Sequence, residues 1–147
     1  MDLFLDTNII IDHVFQREPF YQASRKVCLL GISQEATTYV SVSMLTDVYY
    51  LLAKDRGSQA AQELMEGGLG FLKYVGISPE DAQQALAARW PDFEDCLVSE
   101  CAKKVKADYI ITRNTKDFER SPIPAITPEE LLKKFKDQGL TYEVLDF

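Results

Sequence analysis

Histidine is nearly absent from this chain: His13 is the only one in 147 residues. A nuclease that pairs two histidines as general acid and base is thereby excluded. His13 lies in a short helical stretch without an evident serine or cysteine partner, which argues against a hydrolytic triad. Cysteine is scarce too. Cys28, Cys96 and Cys101 are odd in number and form no C-x-x-C pair, so neither a disulfide framework nor a zinc knuckle is expected, only buried free thiols. No apolar run approaches the ~20 residues needed to span a bilayer. No positively charged segment precedes an apolar stretch at the N-terminus. The expectation is a cytoplasmic chain without a membrane partner. No Gly/Pro/Ser-rich linker and no repeat divides the sequence, so residues 1–147 read as one domain, with 139–147 a C-terminal tail ending in Val144-Leu145-Asp146-Phe147.

Basic residues are also in short supply, 16 against 23 acidic ones, for a formal net charge of -7. Proteins that bind nucleic acid by overall charge are basic. The imbalance reads either as a solvated surface or as carboxylates gathered into a cation site, and composition does not choose between them.

What is present begins with Leu3-Phe4-Leu5-Asp6-Thr7-Asn8. A short apolar run of this kind reads as a strand buried on both faces, with Asp6 at its carboxyl end, where open α/β sheets bind ligands. A short helix follows over Ile9 to Phe15, entered through Thr7 or Asn8. A second opens at Pro19 and stops at Gly31. Residues 36–42 are β-branched and aromatic, a second strand. Ser43 is a candidate N-cap for a helix closed by Gly57, and another helix runs from Ser58 to Met65. Phe71 to Ile77 reads as a third strand, Ala107 to Thr112 as a fourth and Pro124 to Ile126 as a fifth. Helices start at Ser78-Pro79, at Asp92 and at Thr127-Pro128. Strands alternating with helices predict an α/β protein with a parallel sheet and helices on both faces.

Acidic residues then fall repeatedly at strand ends or helix starts. Asp6 follows the first strand. Asp47 lies on the face of Ser43 one turn into its helix. Asp92 and Asp95, three apart, open the helix before the fourth strand. Asn114 and Asp117 lie just after that strand. Oxygen ligands in such a group suit a hard cation such as magnesium, and a bound cation activates water against a phosphodiester. Each residue also has a plainer reading. Asp6 caps a helix, Asp92 and Asp95 complement a helix dipole, Asp47 is a solvated charge, Asp117 belongs to a turn, and His13 is a helix surface residue.

Together, Asp6-Thr7-Asn8, Ser43-x-x-Thr46-Asp47-x-Tyr49, Asp92-Phe93-Glu94-Asp95 and Thr112-Arg113-Asn114-x-x-Asp117-Phe118 resemble the successive motifs of PIN domains, from Asp2 to about Leu132. The resemblance implies a three-layer α/β/α sandwich around a parallel sheet of four or five strands. It also implies a Mg²⁺- or Mn²⁺-dependent endoribonuclease of the VapC toxin type, with RNA as substrate, a small antitoxin as partner and self-association as a homodimer. Carried over to this chain, Asp6 and Asp95 match the metal ligands, with Asp92 and Asp117 alongside them. Asp47 and Asp117 join Asp6 and Asp95 as catalytic candidates. Asp47 stands where the family more usually has Glu, and Asn114 where an acid is expected. Thr7, Asn8, Ser43, Thr112, Arg113 and Asn114 would position water or substrate phosphate. Arg113, Lys116 and the Lys103-Lys104-Lys106 cluster are candidates for the RNA backbone, the lysines reading equally as a solvated helix face.

Three rival readings come from other classes. A phosphatase of the haloacid dehalogenase type needs a second Asp two residues after the first, where this chain has Asn8. A receiver-like phosphoacceptor needs an Asp at the end of the third strand, where Gly76-Ile77-Ser78 has none. The third is a PIN-like module that binds RNA or protein with weak or lost catalysis, which metal titration separates from the enzyme.

Overall fold

A computed structural model describes residues 1–140. All but the first two residues of the tail assigned to 139–147 lie outside the described residues. The elements run β1 (Asp2–Leu5), α1 (Thr7–Val14), α2 (Tyr21–Ile32), β2 (Thr37–Ser41), α3 (Met44–Arg56), α4 (Ser58–Gly68), β3 (Lys73–Val75), α5 (Pro79–Ala88), α6 (Phe93–Lys104), β4 (Tyr109–Ile111), a 3-10 turn (Thr115–Phe118), β5 (Ala125–Ile126) and α7 (Pro128–Asp137). The five strands form one parallel sheet in the order β3-β2-β1-β4-β5. The chain therefore builds outward from β1 in one direction, then returns to β1's other side with β4. The crevice between β1 and β4 is a topological switch point, the place where open α/β sheets bind ligands.

Successive side chains on a strand point to opposite faces, and the two layers of the core follow that alternation. Leu3, Leu5, Val40 and Ile111 pack with Ile9, Val27, Met44, Val48, Leu52, Leu131 and Phe135, so α1, α2, α3 and α7 cover one face. Phe4 and Ile110 point the other way and pack with Val98, Cys101 and Ala102 of α6, and with Phe118. The result is the three-layer α/β/α sandwich expected from the sequence, with five strands. All three cysteines are buried and free. No helix among the described residues is long and apolar enough to cross a membrane.

Several local boundaries differ from the expectation. α2 begins at Tyr21, so Pro19 lies in the preceding turn, and the helix runs one residue past Gly31. Gly31 is a packing glycine: a Cβ there would stand 2.9 Å from the Phe71 ring and would also collide with the Thr38 side chain. Gly57, at φ 85, closes α3 as expected. α5 and α7 each carry the full capping box written in their sequences, Ser78 with Asp81 and Thr127 with Glu130.

Candidate functional site

Parallel pairing of β1 with β4 brings the residues that follow them together. The Asp6 N–H donates to the Ile111 carbonyl at 2.9 Å, which carries the ladder one step past the last residue of β1. There Asp6 is itself the N-cap of α1, so the cap is one residue earlier than Thr7 or Asn8. Its carboxylate accepts from the Thr7 N–H at 2.8 Å, from the Thr112 hydroxyl at 2.8 Å and from the Asn8 amide at 3.3 Å. Thr112 in turn accepts from the Asn114 N–H at 3.1 Å, tying the loop after β4 to the same point. Asp6 is 8% exposed. Burial pushes its pKa up, the Thr112 and Thr7 hydrogen bonds pull it back, and the net direction is upward.

α6 brings the second group. Asp92 is its N-cap and accepts from the Asp95 N–H at 3.1 Å, so the plain capping role is present whatever else the residue does. Asp95, in the first turn, is pushed up to about 7, first by burial and then by Asp92, Asp6, Asp117 and Glu94. Glu94 is raised as well, by burial and then by Asp47, Asp6 and Asp92. Carboxylates from β1's end, α3, α6 and the 3-10 turn thus repel one another across a single sheet edge. Asp47 and Asp117 stand at its exposed rim.

Glu94 is the member that sequence reasoning missed. Residues adjacent along a helix do not share a face, so the pattern that picked out Asp92 and Asp95 passes over it. The first turn of a helix splays all its side chains around one end, and that was the available signal.

Other candidates go elsewhere. Ser43 occupies the N-cap position of α3 but makes no side-chain cap; its hydroxyl pairs with that of Ser41 at the end of β2. Asn114 is exposed and joins the edge through its backbone. Arg113 is ion-paired with Asp12, and its charge also draws the Asp6 pKa down. Its Nε lies 2.6 Å from Asp12 Oδ2, and its guanidinium lies 4.2 Å from the Phe20 ring centroid. Asp12 is fully buried, and its place three residues after Ile9 on the inward stripe of α1 was the sequence signal for it. His13 is half-buried rather than a surface residue. It lines a cavity with Tyr21, Leu52 and Leu69, and burial lowers its pKa. Lys103 pairs with Glu100, and Lys104 pairs with Asp81 and donates to the Gly76 carbonyl, which makes both part of the α6 surface.

Among the described residues, no three His, Cys, Asp or Glu side chains are gathered into a ready metal cage. Magnesium does not require one: it is commonly held by one or two carboxylates and keeps several waters. An ionised carboxylate offers about four lone-pair sites, and the three hydrogen bonds to Asp6 leave room for one more partner. With Asp95 beside it and only oxygen donors at the edge, the donor set fits a hard divalent cation.

The fold and the site define a class: a parallel α/β/α sandwich with carboxylates crowded at the switch point of its sheet. The family model of the PIN domain matches residues 2–116, and the chain belongs to that family. It is 24% identical over 138 residues to Ribonuclease VapC1 of Aquifex aeolicus, covering 90% of this chain and 94% of that protein. Among solved structures, it superposes on a chain of VapBC2 from Rickettsia felis bound to promoter DNA with a TM-score of 0.64 at 20% identity, covering 86% of this chain and 98% of that one. VapC20 of Mycobacterium tuberculosis, described as a sarcin-ricin loop cleaving toxin, gives a TM-score of 0.57 at 16% identity, over 74% of this chain and 86% of that one.

Proposed function

We propose that the chain is a Mg²⁺- or Mn²⁺-dependent endoribonuclease and the toxin of a toxin–antitoxin pair. One observation carries the reading: Asp95, Asp6 and their acidic neighbours crowd the switch point, and their mutual repulsion exceeds what Arg113, ion-paired with Asp12, offsets from a distance. The names of the relatives, a ribonuclease and the chains of VapBC complexes, support the same activity and an antitoxin partner.

In this reading Asp6 and Asp95 hold the cation, with Asp92 and Asp117 contributing from the rim and Asp47 at the outer side. When bound, the cation supplies an activated water and offsets the charge that builds on the phosphodiester. Thr112 holds the Asp6 carboxylate in place, and the hydrogen bonds from Thr7 and Asn8 restrict its rotation. Thr7, Asn8, Ser43 and Asn114 are the polar groups available to orient water and phosphate. Cleavage of single-stranded RNA with Mg²⁺ tests the reading; undiminished cleavage by both Asp6→Asn and Asp95→Asn would sink it. A homodimer is the assembly proposed with it, checked by light scattering.

A second reading has its own support. The outward position of Asp47, exposed at the rim, favours a PIN-like module that binds RNA or protein with weak or lost catalysis. No uptake of Mn²⁺ at millimolar metal would select it.

A further inference from the structure

Beside the acidic edge lies a small cleft of different chemistry. Four carboxylates, Asp95 and Asp117 among them, share the lining of a cavity of about 130 Å³ with Trp90, Lys116 and Arg120. Pockets that enclose whole small molecules run to ~300–1,000 Å³, so this one takes a single ring system. Trp90 follows Arg89, whose left-handed conformation ends α5. It borders the second core layer yet remains partly exposed. It is also held firmly. The Arg120 guanidinium lies 5.7 Å from its ring centroid, and Phe118 meets it edge-on at 6.4 Å and 71°. Arg120 is itself fastened by donating to the carbonyls of Ala88 at 2.8 Å and Arg89 at 3.2 Å. Lys116, in the same lining, makes no ion pair among the described residues.

A braced, half-exposed indole next to a phosphodiester-handling edge has an obvious chemical complement. Nucleobases are neutral, so a carboxylate-rich lining does not repel them, and any base offers a π-face for stacking. Single-stranded RNA is commonly read in this way, through unstacked bases laid on aromatic side chains. We infer that the cleft is a nucleobase subsite, in which a base next to the phosphate at the Asp6–Asp95 edge stacks on Trp90 while Lys116 meets an adjoining phosphate. This rests on the nuclease reading of the acidic edge.

Trp90 is the only tryptophan in the chain, so its emission reports on this cleft alone. The full chain is titrated, with Ca²⁺ in place of Mg²⁺, with a short single-stranded oligoribonucleotide and with the abasic ribose-phosphate chain of equal length. The RNA is expected to quench or shift the emission saturably, and the abasic chain is not. In cleavage assays Trp90→Ala is expected to raise KM about ten-fold with kcat little changed, and Trp90→Phe to recover most of the loss. Should Trp90→Ala fail to fold, Trp90→Phe and the emission titration decide. An emission that ignores RNA, or responds equally to the abasic chain, overturns the subsite, as does an unchanged KM in a folded Trp90→Ala. Asp6-dependent cleavage with silent emission removes the subsite and leaves the nuclease. A base-dependent emission response without any cleavage by the wild type does the reverse.

Discussion

Thr112 and Arg113 are neighbours in the chain, yet they serve two carboxylates in opposite circumstances. Thr112 donates to Asp6, which sits among carboxylates. Arg113 lies against Asp12 of α1, which is wholly buried and feels the charges of Arg113 first and Arg17 second. Neither Asp12 oxygen nor Arg113 Nε makes an aligned hydrogen bond, so the attraction there is chiefly Coulombic, with Phe20 stacked on the guanidinium. A structural carboxylate is thus given its cation by the fold. At the switch point the fold gathers several carboxylates and, among the described residues, pairs none of Asp6, Asp95 and Asp117 in a salt bridge, an arrangement that an external ion would complete.

Breaking the paired side has the largest expected effect. Arg113→Met leaves Asp12 buried without its partner, and breaking such a pair costs roughly 3–5 kcal/mol. Urea unfolding at pH 8 measures it, and the double variant Asp12→Leu with Arg113→Met is expected to recover much of the loss. On the other side, Asp6→Asn and Asp95→Asn are each expected to lower RNA cleavage at least about 100-fold, close to 2.7 kcal/mol of barrier, while leaving the far-ultraviolet dichroism unchanged. Thr112→Val removes the donor to Asp6 and the acceptor for the Asn114 N–H. It is expected to cost about 1–3 kcal/mol in chemical unfolding, with cleavage lowered as Asp6 loses its alignment.

The smallest effect has the opposite sign. Without metal, Asp95→Asn relieves repulsion and is expected to stabilise the chain by about 1 kcal/mol at pH 8, as neutralised functional sites commonly do. The pH dependence follows from the same residue. Its carboxyl is raised from 3.8 to about 7, so between those values the folded chain binds more protons than the unfolded one. Stability from this group is therefore present at low pH and falls as pH climbs toward 7. Asp6 and Glu94 are shifted in the same direction. Thermal unfolding of the metal-free chain at pH 5 and pH 8 checks this, and the Asp95→Asn chain is expected to show a flatter profile.

Much of this was legible in the sequence because it is local. The strands announce themselves as short apolar runs, and the capping boxes at Ser78 and Thr127 are written out in four residues each. The PIN motifs then name Asp6 and Asp95, and the structure brings both to one edge. What the sequence leaves open is what depends on who neighbours whom. The Thr112–Asp6 bond needs β4 beside β1, a fact of sheet order that no local pattern carries. Arg113 looked like a phosphate ligand because its partner, Asp12, is a hundred residues away along the chain and concealed within an apolar helix. Ser43 has the composition of a cap, but Ser41 competes for its hydroxyl across the strand end. Glu94 was hidden by standing next to Asp95.

The central claim is that the acidic edge is completed by a divalent cation, and calorimetric titration with Mn²⁺ at pH 8 tests it most directly. The wild-type chain is expected to take up Mn²⁺ saturably, Asp6→Asn and Asp95→Asn to lose that uptake, and Asp12→Asn, where it remains folded, to keep it. Uptake unchanged in both edge variants, or absent from the wild type at millimolar metal, would contradict the account.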